Sequence, residues 1–464
     1  MVHASRTSAR DDAQRTLFPP SKGDMMSDFS DDRPAQDAPP AGSPRLLSPQ
    51  REQIEFRACC WNDLLPPEHE ARIVWSYVEG LDLAPLLARI KAVERNVGRP
   101  AIDPRILFAL WLYAVLRAVG SARELARRCD KQTGELAFQW ICGGVSVNHH
   151  TLADFRRQHV ELLDRLFTTS VAALLHEGLA TLDRVAQDGM KVRASAGAAS
   201  FRRRATIEDR LAEAQQQIAA LNQQLDADPA SESRRQRAAR QRAAEDRAAR
   251  LAKALDQFAE VEAKKKSAQE RENARVSTTD PEARVMKMAD GGYRPAYNVQ
   301  LATDTQTQII TGVDVTNSGG DQGKMAPMVE QHEARYDERP KEMLVDGGFA
   351  KKDDIDEVEA KGTTVYAPVQ KSKKADVDPH TPRENDSPAV GAWRERMATD
   401  EAKEIYKERA ATAECVNAIA RNRGLQQFHV RGSPQALAVV LWYVLAHNLM
   451  RAVALREEIE AKPK

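Results

Sequence analysis

What most constrains this chain is a change of hydrophobic period in its middle. Between residues 200 and 275, Ile207, Leu211, Ala214, Ile218, Leu221 and Leu225 step by three and four, the spacing of an amphipathic helix. Asp226 to Ser233 breaks the pattern, which then resumes through Ala244, Ala248, Leu251, Leu255 and Phe258. Two helical arms around a break read as an antiparallel hairpin inserted in the chain. Its second arm opens with Arg234, Arg235, Arg237, Arg240 and Arg242, a positive density that suits a phosphate backbone or, equally, a solvated face balanced by nearby acids.

Outside the insertion the period becomes that of strands. Arg184 to Gln187 precedes it, while Tyr297 to Thr303 and Ile309 to Val315 follow as a β-hairpin across Asp304 to Gln308, with alternation of period two. Met343 to Val345 and Thr363 to Ala367 add two strands, and a helical pattern covers about residues 323 to 335. Strands interleaved with helices predict an α/β fold: a mixed sheet with flanking helices.

From Trp61 to about Leu179 the pattern is helical instead. Asp103 is a candidate N-cap, with Pro104 in the first turn where its missing amide costs little. Ser121 to Arg128 follows a Gly120 turn, and Ser146 to Arg157 reads as a second short helix. Each presents arginines (Arg123 and Arg127, then Arg156 and Arg157), the ingredients of a helix-turn-helix reader of DNA, although a solvated amphipathic face has the same pattern. His149 and His150 are adjacent, which points their side chains about 100° apart on a helix and suits capping or DNA-facing roles better than joint metal binding. Trp111, Tyr113 and Trp140 read as core aromatics.

Residues 1–50 hold seven of the 23 prolines and no apolar periodicity, so a disordered leader is expected there. Met25 and Met26 lie within it as alternative starts. The remaining boundaries are 51–180 for the helical N-terminal domain, 181–199 plus 276–455 for the strand-bearing domain, 200–275 for the insertion, and 456–464 for a charged tail. Sixty-eight basic and 68 acidic residues cancel, so a nucleic-acid partner must be met by local basic clusters. The five cysteines form no C-x-x-C pair, which argues against a zinc knuckle or disulfide framework and fits a reducing cytoplasm. The longest apolar run, Ile106 to Val119, is interrupted by Arg117 and too short to span a bilayer.

The chemistry concentrates in two segments of one form, Val185-Ala186-Gln187-Asp188-Gly189 and Met343-Leu344-Val345-Asp346-Gly347-Gly348. Each is a short apolar strand ending in aspartate and glycine, where a carboxylate leans from a sheet edge toward a metal. A lone Asp-Gly is more often a turn. Glu414 lies in a helical pattern with Tyr406 and Arg409; Glu401, Glu404 and Glu408 compete with it, and Asp314 and Asp321 are further candidates at the sheet edge. Two magnesium ions held by two or three carboxylates supply what phosphodiester cleavage needs: a strong nucleophile and a stabilised leaving oxygen.

Tyr406-Lys407-Glu408-Arg409, with Glu414 and Arg421 downstream, resembles the Y-x-x-R…E…K signature of DDE transposases from bacterial insertion sequences. Gly291 to Gln300 followed by Asp314-Val315-Thr316-Asn317, Asn422-Arg423-Gly424-Leu425, Val430-Arg431-Gly432 and Leu445-Ala446-His447-Asn448-Leu449 resemble the same family. The resemblance implies a ribonuclease H-like catalytic domain behind the helical domain. It implies Asp188, Asp346 and Glu414 as catalytic metal ligands for two Mg²⁺ ions, with Mn²⁺ able to substitute. Tyr406, Arg409 and Arg421 would meet phosphate, Arg421 standing where lysine is common. The implied partners are double-stranded DNA, from terminal repeats and target, and a second copy in a homodimer assembled on DNA; no membrane is implied, and the place is the cytoplasm, at the nucleoid when DNA-bound. Two other readings stand beside it: a catalytically inactive DNA-binding repressor or end-binding derivative, and an assembly protein built around the hairpin.

Overall fold

A computed structural model describes residues 60–90, 92, 100–227, 234–370 and 378–461. The leader expected at 1–50, with Met25 and Met26, lies outside the described residues. So do the break at 228–233 and the side chains of Arg234, Arg235 and Arg237.

A 3-10 turn, Trp61–Leu64, leads into seven helices: α1 (Glu70–Glu79), α2 (Ala84–Leu87), α3 (Pro104–Leu116), α4 (Ala122–Arg128), α5 (Leu136–Cys142), α6 (His149–Arg157) and α7 (Val160–His176). Their starts follow local chemistry. Asp103 accepts the Arg105 amide at 2.9 Å ahead of Pro104, and Asn148 accepts that of Thr151 at 2.9 Å, each satisfying a donor the helix cannot. Ser121 caps α4 in the same way. The two short arginine helices are not consecutive, since α5 lies between them, yet α4 and α6 pack together.

Next come β1 (Arg184–Arg193), β2 (Phe201–Arg202), α8 (Arg204–Ala227), α9 (Arg234–Ala263), α10 (Ala268–Glu272) and β3 (Val276–Ser277). The arms α8 and α9 pack against each other around Ile207, Ala214, Leu251, Ala254 and Phe258, and β2 pairs with β3 where the arms return. Then follow β4 (Arg284–Lys287), β5 (Tyr293–Asp304), β6 (Ile310–Thr316), α11 (Met325–Tyr336), β7 (Glu342–Leu344), α12 (Lys352–Ala360), β8 (Thr364–Tyr366), α13 (Pro388–Ala398), α14 (Asp400–Arg409), α15 (Cys415–Asn422) and α16 (Ser433–Glu460).

The main sheet is mixed, in the order β4-β5-β1-β7-β8, with β6 also on β5. On one side β1 runs antiparallel to β5, from Val185↔Asp304 to Arg193↔Ala296; on the other it runs parallel to β7. The α/β architecture is therefore as expected. β1 is longer than the sequence reading made it: its second half has no β7 partner, but β5 supplies hydrogen bonds throughout.

One core joins the N-terminal helices to the sheet and to α16. Trp111 and Trp442 are fully buried; their indole nitrogens donate to Leu152 O at 2.9 Å and Arg156 O at 3.1 Å, so neither burial leaves a polar atom unmet. A side chain of that size removes ~150–250 Å² from water, worth roughly 4–6 kcal/mol before ordering costs. Tyr113 belongs to the same core, and Trp140 is half-buried edge-on to Trp75. Among the described residues α16, rather than Ile106 to Val119, is the helix long and apolar enough to cross a membrane by length and composition, and its apolar window is 78% buried within the protein. Its Asn448 accepts the Ile310 amide at 2.9 Å and donates to the Ile310 carbonyl at 2.8 Å, while His447 donates to Gln308 O at 2.8 Å. The His-Asn pair thus anchors the turn that starts β6.

Candidate active site

Register brings the two aspartates together. Ala186 faces Leu344 in the parallel β1–β7 pair, and two residues further along each strand stand Asp188 and Asp346, so their side chains emerge on one face at neighbouring positions. Asp346 lies two residues beyond Leu344, the last residue of β7, near the strand end as expected. Asp188 does not end its strand: it faces Leu301 of β5 within continuous β1. β7 stops at Leu344, so beyond Ala186 the β7 edge of β1 has no neighbouring strand.

Gly189 serves close packing rather than a turn. A Cβ there would lie 2.3 Å from Asp321 Oδ1 and 2.6 Å from Gln300 Nε2. Asp321 accepts from Asn298 Nδ2 and Gln300 Nε2, both at 2.7 Å, and pairs with Lys191 at 3.3 Å. This network lies on the face of β1 opposite Asp188, because Gly189 and Lys191 alternate with it. Asp314 sits in β6, half-buried.

The third element arrives from the helices. Thr399 caps α14 by accepting the Ala402 amide at 3.1 Å. Between α14 and α15 the backbone makes a π-helical turn, Ala410–Glu414. Five residues make almost half a turn too many in an α-helix, but a π turn bonds i to i+5, which stacks Glu414 over Arg409. The Arg409 guanidinium lies 3.1 Å from Asp188 Oδ1 and 3.4 Å from Glu414 Oε1. Asn417 Nδ2 donates to Asp188 Oδ2 at 2.9 Å. The competing glutamates are engaged elsewhere or open to solvent: Glu408 pairs with Arg184, Glu404 with Lys407, and Glu401 is exposed.

Burial pushes the Asp188 carboxyl above its ordinary range, and the nearby Asp346 charge adds to this, while Arg409, the Gly189 amide and Asn417 pull it back. Burial likewise raises the Tyr406 phenol, which lies in the fields of Arg409, Asp346 and Asp188. Two carboxylates on neighbouring strands are the donors a hard divalent cation prefers. Among the described residues no three acidic, histidine or cysteine side chains converge as a metal-holding group. Glu414 is turned to Arg409, whose guanidinium supplies the positive charge between it and Asp188. Arg409 Nε and Asn417 Oδ1 are buried without partners, so the polar shell around Asp188 has capacity left.

The other sequence candidates lie elsewhere. Arg421, exposed at the end of α15, lines a groove of about 870 Å³. Arg123, Arg156 and Arg157 line a separate cavity of about 700 Å³ that also includes His149 and His150, whose ring centroids are 4.1 Å apart. Arg156 differs from its neighbours in being buried: its guanidinium lies 4.6 Å from the Trp111 ring centroid and donates to Gly120 O at 2.5 Å. Arg127 and Arg157 are exposed and paired with Glu124 and Asp154. Sequence reasoning missed Asn417, which no local signal marks. It also missed Lys191 and Arg193, whose alternation after Asp188 is a readable period of two.

Two family models match the chain. One described as Transposase domain (DUF772) covers residues 59–158, and one described as Transposase DDE domain covers 261–449. No curated protein and no solved structure matches it. Asp346, Tyr406, Arg409, Glu414 and Arg421 fall inside the second match; Asp188 falls between the two and reaches the site through β1–β7 pairing.

Proposed function

The chain belongs to the DDE transposases of insertion elements, and from that premise we propose that it binds the terminal inverted repeats of such an element, cleaves DNA there and joins the freed 3′ ends to target DNA. The observation that carries this reading is the meeting of Asp188 and Asp346 on neighbouring strands beneath the Arg409–Glu414 turn. The sheet order, antiparallel on one side of β1 and parallel on the other, supports a ribonuclease H-like catalytic domain at 181–199 and 276–455, behind a helical domain at 51–180.

Asp188, Asp346 and Glu414 would hold divalent cations, two Mg²⁺ or Mn²⁺ in the fullest form, which activate a water or a 3′ hydroxyl and stabilise the leaving oxygen. The protein's own groups orient the reaction. Asn417 fixes one Asp188 oxygen and leaves the other to Arg409. Arg409 exchanges its carboxylates for phosphate oxygens, a planar fork suited to either, and that exchange frees Glu414 to turn toward the aspartates. Tyr406 borders the same position. Arg123, Arg127, Arg157 and Arg421 hold flanking DNA, while Arg156 supports the fold beneath them. Two copies assemble on DNA in the cytoplasm, where the nucleoid lies.

Cleavage of a duplex carrying the element end, with Mg²⁺ or Mn²⁺, tests this. Asp188→Asn and Asp346→Asn are each expected to abolish cleavage and strand transfer while the fold stays intact; full cleavage by either variant would sink the proposal. The alternative, a DNA-binding derivative without catalysis, is favoured by one observation, the engagement of Glu414 with Arg409 rather than with the aspartates. End binding without cleavage by the wild-type chain would establish it. An assembly role for the hairpin is judged by deleting 200–275: loss of oligomerisation with cleavage retained makes the hairpin an accessory.

A further inference from the structure

Two cysteines lie side by side in the helical domain. Cys129 caps the C-terminal end of α4 and Cys142 is the last residue of α5; both are buried and both are free thiols. The residues flanking Cys129 bring them together. Arg128 O accepts the Glu135 amide at 2.9 Å, and the Arg128 guanidinium lies 6.0 Å from the Phe138 ring centroid. On the other flank Asp130 O accepts from Gln139 Nε2 at 2.7 Å. Cys142 stands one turn beyond Phe138 and Gln139 on that same face of α5, and its thiol is hydrogen-bonded to that of Cys129.

A buried cysteine alone is an inert small hydrophobe, but two whose sulfurs touch stand at the approach from which a disulfide forms. The pair is also asymmetric. The hydrogen bond to Cys142, with burial, holds the Cys129 thiol above its ordinary range, as the donor. The same bond and the Lys131 charge draw Cys142 below its ordinary range, against burial. The thiolate is the reactive form. Cys142 is therefore the sulfur that meets an oxidant, and Cys129 the one placed to resolve the product.

We propose that Cys129 and Cys142 are a redox modification site: a hydroperoxide closes them into a disulfide that fastens the end of α4 to α5, and a dithiol reopens it. The Cys142 thiolate attacks a peroxide oxygen, the O–O bond breaks and hydroxide leaves, so that Cys142 becomes a sulfenic acid oxidised by two electrons. The Cys129 sulfur then attacks the Cys142 sulfur. The S–S bond forms, the S–O bond breaks, and the departing oxygen takes the Cys129 proton as water. For hydrogen peroxide the balance is two thiols and one peroxide to one disulfide and two waters. The closed loop spans about 14 residues and contains the turn 130–135 between the helices, while the other end of α4 opens at Arg123 on the 700 Å³ cavity. In a reducing compartment such a bridge is transient and redox-sensing. The site is independent of the carboxylates and of the reaction they serve.

The test treats the folded full-length protein with a few equivalents of hydrogen peroxide, quenches in acid, alkylates the remaining thiols in denaturant and reads the products by mass spectrometry. Two of the five thiols should escape alkylation together, a peptide pair joined through Cys129 and Cys142 should appear, and dithiothreitol should restore both. Amide hydrogen exchange across 130–135 should slow several-fold in the oxidised chain. Cys129→Ala should leave a Cys142 sulfenic acid that dimedone traps, while Cys142→Ala should slow peroxide consumption by the pair about tenfold or more. The wild-type products decide the matter even where a variant fails to fold. Retention of both thiols, sulfinic acid without a cross-link, or a cross-link to another cysteine would overturn the site. Faster exchange across 130–135 on oxidation would overturn the fastening of α4 to α5.

Discussion

Arg409 and Glu414 stand one π-helical turn apart, with guanidinium and carboxylate 3.4 Å from each other and the same guanidinium 3.1 Å from Asp188. A single cation thus couples the helical and strand-borne parts of the site. The π turn produces the stacking, since an α-helix would place residues five apart on different faces.

Arg409→Met should destabilise the fold by about 2–4 kcal/mol, because it leaves a mostly buried Asp188 without its ion-pair partner. Asp188→Asn should recover part of that loss. A double-mutant cycle in urea is expected to give a coupling of about 1–3 kcal/mol; additive effects would mean that the contact carries no energy.

Gly189→Ala should cost roughly 1–3 kcal/mol, since its Cβ would enter the space of Asp321 and Gln300 and force the network apart. Pairing it with Asp321→Ala, which vacates the nearest atom, should make the glycine substitution milder. Chemical denaturation of both variants decides it.

Asn448→Ala should cost about 2–4 kcal/mol, as it strands the buried amide and carbonyl of Ile310 together. Hydrogen exchange should show the added opening at the start of β6 before elsewhere in the sheet.

Acid should destabilise the fold through two histidines. Burial lowers His332 from 6.5 to about 4, although Met328 O accepts its Nδ1 proton, and burial lowers His447 likewise to about 4. Above pH 6.5 both are neutral folded and unfolded. Between 6.5 and about 4 the unfolded chain binds protons that the folded one excludes, so stability falls with pH, by roughly 3 kcal/mol for each group once pH 4 is reached. A denaturation midpoint measured from pH 7.5 to 4.5 should fall, and His332→Gln should flatten that part of the slope attributable to His332.

Much of this site is legible before folding. Asp103 ahead of Pro104 and the caps Ser121 and Asn148 depend on neighbours within four residues, and the alternation of β5 depends on neighbours two apart. Asp188 is different: Asp-Gly read as a strand end, yet β1 continues because β5 pairs with it, and β5 begins about a hundred residues later in the chain. Arg156 read as one more exposed arginine until α3 and α16 closed over it, and the period that places Glu414 changes locally from α to π.

The sequence by itself determined which segments become helix or strand, where most of them start, and which carboxylates are available, because propensity, capping and period are set over a few residues. Only the tertiary structure decided that Asp188 lies beside Asp346, that Arg409 lies between Asp188 and Glu414, and that Gly189 and Lys191 close on Asp321 on the opposite face of β1. Those relations depend on strand register and on burial between segments far apart in the chain, where the favourable terms are packing and hydrogen bonds that no short stretch makes alone.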